Sequence, residues 1–360
     1  MLSRASSPII LDGALATALE SLHGLDISTR LWSAAALTDH PDAIADVHYA
    51  YFRDARADIG TTASYQASLK GLREYGGFGE REARALVGRS VRLVREAVGR
   101  VEEEEEGVEQ DEGTEGLRKA GGEAEADKIR TSRTSTRKRL VAGSVGPYGA
   151  YLSNGAEYTG AYSLSEDGLM DFHRGRIEEL LRDRRRSDDP GVGGREEGKE
   201  GKEGEGVDVL ACETMPHFGE VKALVKLLRK EFPGAAAWFS FTLKDEAHVS
   251  DGTALADVVE FLDEEEQVVA VGVNCVPIDL IAGALRVMKA KTGKPLIVYP
   301  NSGEVYDGGT KEWSGNRAQG TLASHAKEWA ELGARIIGGC CRTTPEDIKA
   351  LKKALNDGGG

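Results

Sequence analysis

The stretch VVAVGVNCVPIDLIAGALRVMKAK, Val268–Lys291, is one complete strand-and-helix unit. Val268–Val273 is short, apolar and rich in β-branched residues, the pattern of a strand buried on both faces. Asn274 and Cys275 end it with a polar and a reactive side chain. Ile278–Lys291 then carries apolar residues at helical spacing.

Outward from this stretch the same unit repeats. The strand candidates are Ile9–Leu11, Asp58–Thr62, Leu140–Ser144, Val207–Ala211, Ala236–Phe241, Val268–Val273, Leu296–Tyr299 and Arg335–Ile337. Helical text lies between them at Asp42–Ala57, Glu80–Val98, Leu169–Arg182, Phe218–Glu231, Thr253–Glu265, Ile278–Lys291 and Gly320–Leu332. Strands alternating with helices imply parallel strands joined by right-handed crossovers. Eight such strands predict an α/β fold of the (β/α)₈ TIM-barrel type. An open doubly wound sheet is the alternative; the count of eight and the lack of a G-x-G-x-x-G turn after the first strand favour the barrel.

Two stretches break the pattern. Residues 101–139 open with EEEEEG (Glu102–Gly107) and end in TSRTSTRKR, and residues 184–206 read RRRSDDPGVGGREEGKEGKEGEG. Neither contains an aromatic residue, and neither can bury enough apolar surface to offset the entropy of ordering. Both are expected to be disordered insertions within a single barrel domain spanning 1–360.

Of the 360 residues, 40% are hydrophobic and 29% charged, which suits a large globular core. A formal charge of -14 argues against a nucleic-acid surface and against an anionic membrane face. No apolar run is long enough for a spanning helix, and the N-terminus does not read as a signal peptide. Four cysteines are too few for a disulfide scaffold in this length, and they fit a reducing, cytoplasmic setting.

In a (β/α)₈ barrel the residues just after each strand form the active-site rim. Here these are Asp12, Thr61–Tyr65, Ser144–Tyr148, Cys212–Thr214, Asn274-Cys275, Asn301-Ser302 and Gly338–Cys341. The cysteines are the sharpest signal. Cys275 closes the sixth strand, and Cys340 and Cys341 close the eighth. Three thiolate ligands with one open position is the catalytic zinc pattern. Two adjacent cysteines reach one ion only where the strand has ended and the backbone turns, and Gly338 and Gly339 allow that turn. Cys212 adjoins Glu213; if Glu213 faces the mouth, Cys212 faces the helices as a small buried hydrophobe.

Asp12 and Glu213 end strands one and four, across the mouth from each other. With no histidine at a strand end, an ammonium-binding role is preferred over acid–base work. Tyr65, Tyr148 and Tyr151 are candidate aromatic walls for a cationic ligand such as a sulfonium. Asn274 and Asn301 are candidate polar contacts, and the main-chain N–H groups around Ser144–Gly146 a candidate carboxylate cradle. His173 reads as structural. Beyond Cys341, Thr344, Pro345 and Asp347 sit at N-cap, N1 and N3 of a helix.

These residues resemble a known family. LDGALATALE (Leu11–Glu20), LWSAAAL (Leu31–Leu37), TTASYQAS (Thr61–Ser68), GSVGPYGAYLSNGAEYTG (Gly143–Gly160), ETMP (Glu213–Pro216), GVNC (Gly272–Cys275), VYPNSGE (Val298–Glu304) and GGCCRTTPEDI (Gly338–Ile348) resemble the homocysteine S-methyltransferases. The glycine-rich third-strand segment is similar to the branch that uses S-methylmethionine or S-adenosylmethionine. The resemblance implies a barrel with Zn2+ held by Cys275, Cys340 and Cys341. It also implies that Asp12 and Glu213 bind the homocysteine ammonium and that Tyr65 lies near the methyl donor.

The chemistry expected from this is direct. A free thiol, with a pKa of about 8.5, is mostly protonated at neutral pH, whereas zinc deprotonates a bound one. The resulting thiolate attacks the methyl carbon of a sulfonium and methionine forms. The leaving thioether is neutral, so no general acid is required. Two alternatives remain at this level: a betaine- or folate-dependent homocysteine methyltransferase, and a non-catalytic zinc or redox thiol site in a binding protein. Betaine needs a quaternary-ammonium cage, and a folate donor is expected to bring further domains.

Overall fold

The computed structural model describes residues 7–26, 31, 33–119, 138–182, 206–302, 305–307, 312–314 and 321–357. Its central sheet has eight strands: β1 (Ile9–Ile10), β2 (Ile59–Thr61), β3 (Leu140–Val145), β4 (Val209–Met215), β5 (Ala237–Phe241), β6 (Val268–Asn274), β7 (Leu296–Tyr299) and β8 (Ala334–Ile337). Each lies beside the next in chain order, all pairs are parallel, and β8 pairs with β1. Leu11 forms a parallel bridge to Ile59, and flanking it Asp58 N–H donates to the Ile10 carbonyl at 2.7 Å and Asp12 N–H to the Ile59 carbonyl at 3.0 Å. These bonds close the sheet into the predicted (β/α)₈ barrel.

Side-chain alternation divides the core into two layers. Leu11, Ile59, Ala142, Ala211, Trp238, Ala270, Ile297, Tyr299 and Ile336 fill the barrel interior. Their neighbours Cys212, Phe239, Val271, Val298 and Ile337 face the surrounding helices. Gly272 sits where β6 and β7 come closest: a Cβ there would overlap the Ile297 carbonyl, so only glycine fits.

The helices follow the sequence pattern with small shifts. Phe218–Glu231 matches the prediction, and Glu166–Leu181 starts three residues earlier than expected because Ser165 caps it, accepting from Gly168 N–H at 3.1 Å. The helix expected over Ile278–Lys291 opens with a 3₁₀ turn and is α-helical over Ile281–Lys289. Strand β4 runs on to Met215, carrying Cys212, Glu213 and Thr214 inside it rather than after it.

One boundary differs more. The helix expected to stop near Val98 continues to Lys119, so the start of the first low-complexity stretch is helical rather than disordered. Composition alone missed its anchors. Glu104 accepts from Tyr49 Oη at 2.8 Å and Arg53 Nε at 3.1 Å, while Glu105 accepts from Arg56 at 3.0 Å and the buried Arg139 at 2.6 Å. Residues 120–137 and 184–205 of the two insertions lie outside the described residues. No helix among the described residues is long and apolar enough to cross a membrane.

Candidate active site

The C-terminal mouth of the barrel holds a cavity of about 120 Å³. Its wall comes from the ends of β1, β2, β3, β4, β6, β7 and β8, and includes Asp12, Thr61, Tyr65, Ser144, Glu213, Cys275, Cys340 and Cys341. Segments from both ends and the middle of the chain therefore converge on one small volume.

Asp12 follows the bridge that closes the barrel. Its carboxylate accepts Thr61 N–H at 2.7 Å and the Thr61 hydroxyl at 3.1 Å. Glu213 points inward by the alternation of β4, and the Ser144 hydroxyl donates to it, while the Tyr299 hydroxyl bonds Trp238 Nε1 and Ser240 Oγ. Burial pushes both carboxyl groups above their ordinary range. The threonine and serine donors oppose that shift, and the Glu213 charge adds to it at Asp12. Among the described residues no lysine, arginine or histidine lines this cavity.

The sulfurs line the same cavity. Cys275 leaves β6 with φ 51°, its N–H donating to the Tyr299 carbonyl at 3.2 Å. Cys340 N–H donates to the Pro300 carbonyl at 2.8 Å, and the Cys341 carbonyl accepts Ser302 N–H at 3.1 Å. As expected, β8 has ended before these cysteines. Thr343 Oγ1 donates to the Cys340 carbonyl at 2.6 Å and accepts Ala14 N–H at 3.2 Å, tying the turn to the segment after β1.

The three Sγ atoms lie within 4.8 Å of one another. Cys275 and Cys340 are joined as a disulfide with Cα atoms 5.5 Å apart, and Cys341 Sγ is 3.8 Å from Cys275 Sγ. A tetrahedral zinc with bonds of about 2.3 Å has S···S edges of about 3.8 Å. The Cys275–Cys341 separation fits that edge, and reduction of the disulfide supplies the third sulfur. Burial raises the Cys341 thiol to about 12, opposed in part by a hydrogen bond with Tyr158, so it is neutral without a nearby cation. Cys212 is fully buried on the helix side of β4, as its parity predicted.

Several predicted contacts serve other purposes. Asn274 is off the cavity wall, its side-chain amide engaged with Thr214 and its Nδ2 reaching Cys340 Sγ at 4.0 Å. Asn301 is also off the wall, with its N–H donating to the Val276 carbonyl at 3.1 Å. Ser144 N–H already donates to Thr62 Oγ1 at 3.0 Å and is not open to a ligand. Tyr148 and Tyr151 pack with Phe172 in an aromatic cluster outside the mouth, with ring centroids 5.0 and 5.6 Å from it, respectively. Tyr151 donates to Glu74 at 2.5 Å. His173 is buried between helices, as its structural role required.

Three wall residues escaped the sequence reading: Tyr299, Tyr158 and Thr61 as a ligand of Asp12. Tyr299 carried a usable signal, because it shares inward parity with Ile297. Tyr158 had none, since it lies on the short 3₁₀ turn Ala156–Tyr158.

Comparison with known proteins agrees with this geometry. The sequence profile described as homocysteine S-methyltransferase matches residues 9–355. Homocysteine S-methyltransferase YbgG of Bacillus subtilis (strain 168) is 42% identical over 343 residues, covering 95% of this chain and 93% of that protein. Homocysteine S-methyltransferase of Escherichia coli (strain K12) is 42% identical over 345 residues, covering 96% and 94%. The crystal structure of the homocysteine methyltransferase MmuM from Escherichia coli in its metallated form superposes with a TM-score of 0.73 at 40% identity, covering 97% of this chain and 96% of that one. By fold, mouth geometry and sequence, the chain belongs to the homocysteine S-methyltransferase family.

Proposed function

We propose that the methyl donor is a sulfonium, S-methylmethionine or S-adenosylmethionine, and that Cys275, Cys340 and Cys341 hold zinc during methyl transfer to homocysteine. One observation carries this reading: a single cavity is lined by three sulfurs and two buried carboxylates and, among the described residues, by no basic side chain. Buried carboxylates without a partner are costly, and a cationic ligand relieves that cost. The ammonium group of homocysteine supplies such a cation.

Asp12 and Glu213 bind and orient the acceptor through that ammonium group. Thr61 and Ser144 aim the two carboxylates. Zinc held by Cys275, Cys340 and Cys341 would supply the positive charge that favours the thiolate form of the acceptor, its proton passing to solvent. Tyr65 and Tyr158 offer aromatic walls suited to a sulfonium. The enzyme must bring sulfur and methyl carbon to about 3–3.5 Å in line. Transfer releases a neutral thioether, which needs no proton, in keeping with a wall that has no histidine among the described residues.

The test is methionine formation from homocysteine with each donor in turn, alongside zinc content. Turnover with a sulfonium by zinc-loaded enzyme is the expected result. Turnover with only betaine or a methylfolate rejects the donor reading, and full activity of a zinc-free preparation rejects the metal.

A further inference from the structure

We infer that Arg176 is a positioning residue for the methyl-donor side of the cavity, acting through the backbone of Tyr65 and Gly146. The inference rests on the sulfonium reading only in assigning Tyr65 to the donor.

Arg176 lies on the helix Glu166–Leu181 and is 1% exposed. Its guanidinium reaches two separate loops of the mouth. Nη1 donates to the Tyr65 carbonyl at 2.8 Å, and Nη2 donates to the Gly146 carbonyl at 2.5 Å. Nη2 also lies 2.9 Å from His173 Nδ1. Because the imidazole accepts there, its proton sits on Nε2, which meets Glu220 Oε1 at 2.6 Å. Glu220 further accepts the Tyr162 hydroxyl and, at 2.7 Å, Tyr148 N–H. One buried positive charge and one buried negative charge are thus linked through a neutral ring.

A buried ion pair is seldom kept for stability alone, since apolar residues of similar volume often do as well. Here the positive end is directed at main-chain carbonyls, where a planar fork can hold two acceptors at once. What it holds bears on the cavity. The Tyr65 ring lines the wall and lies against Gly146, where a Cβ would come within 2.7 Å of the ring and 2.6 Å of the Tyr65 carbonyl. Arg176 fixes the main chain of the ring and of the surface supporting it. Asp12 and Glu213 are held by separate bonds to Thr61 and Ser144, and Arg176 reaches Glu213 only through its charge, not through a hydrogen bond.

The experiment measures both Michaelis constants in Arg176→Met and Arg176→Lys. Methionine removes the fork and leaves Glu220 with His173, Tyr162 and Tyr148 N–H. Lysine keeps the charge but not the two-pronged reach, and it serves if the methionine variant does not fold. The donor KM should rise about tenfold in R176M and less in R176K, with the homocysteine KM within about twofold of wild type. Combined with Tyr65→Ala, R176M should add nothing further to the donor KM. An unchanged donor KM in both variants, an equal rise in both constants, or full additivity with Y65A overturns the inference. If wild type makes no methionine with either sulfonium, the donor reading fails by itself. Crystal structures of wild type and R176K then decide the positioning role: a Tyr65 ring displaced from Gly146 supports it, and an unmoved ring overturns it.

Discussion

Asn274 holds Thr214 in a left-handed backbone conformation. Thr214 has φ 60°; its N–H donates to Asn274 Oδ1 at 2.7 Å, and Asn274 Nδ2 donates to Thr214 Oγ1 at 2.8 Å. A β-branched residue pays strain in that region unless its surroundings impose it. Thr214 follows Glu213, and Asn274 precedes Cys275, so one amide couples a carboxylate of the site to a sulfur. Asn274→Ala should cost about 2–3 kcal/mol of stability through its lost buried bonds, partly offset by the strain released at Thr214. The homocysteine KM should rise with it. Thermal denaturation and steady-state kinetics check both; an unchanged melting temperature removes the clamp from the account.

The buried carboxylates make the free enzyme sensitive to pH. Burial raises Asp12 and Glu213 above their ordinary values. A group whose native pKa exceeds its unfolded pKa contributes stability below the unfolded value and loses it as pH rises through the native one. Free enzyme should therefore lose stability from the ordinary carboxylate range up to the raised native values. Asp12→Asn and Glu213→Gln should each flatten that slope in a series of urea melts. Each should also raise the homocysteine KM about ten- to a hundredfold, the scale of a lost hydrogen bond to a charged group. A slope as steep as wild type in both variants contradicts the assignment.

The cysteines separate by role. Cys341→Ala and Cys275→Ala should each abolish bound zinc and methyl transfer, read by metal analysis and methionine formation. Cys212→Ala should retain the metal and lose about 1 kcal/mol of stability, as for a small truncation in a packed core. Loss of metal in the Cys212 variant would mean that the ligand set is different. Removing the metal with a chelator should stop turnover, and zinc should restore it.

Gly272→Ala tests the packing of β6 against β7. Its Cβ meets a backbone carbonyl rather than a flexible side-chain end, so no rotamer change relieves it. The strand must shift, at a cost of about 3 kcal/mol or more. Urea denaturation measures this, and a variant as stable as wild type would refute the close approach.

Strand ends were readable because apolar alternation stops on polar residues, as at Val273-Asn274 and Leu11-Asp12. Glu213 misled by the same rule: it looks like a stop, yet β4 continues to Met215 with its side chain turned into the mouth. The three sulfurs could be grouped because barrel topology brings strand ends together. The use of Asn274 could not be foreseen, since its partner Thr214 is 60 residues away. Tyr148 and Tyr151 have the chemistry of a cation wall, but only the fold shows that they pack with Phe172 away from the cavity. Arg176 left no trace in the pattern because what it grips is main chain. The helix through Glu104 and Glu105 depends on arginines of other elements, which composition does not reveal.

β8 is the last strand to join the sheet, docking beside β1, and Gly339 N–H donates to the Asp12 carbonyl at 3.1 Å at that seam. Two of the three sulfurs lie immediately past it. A chain still emerging from the ribosome, without its last strand in place, has neither a sealed cylinder nor a complete thiol cluster. The three-sulfur cluster is therefore complete only once the last strand has docked, and a fragment cut short before Cys340 keeps Cys275 alone of the three.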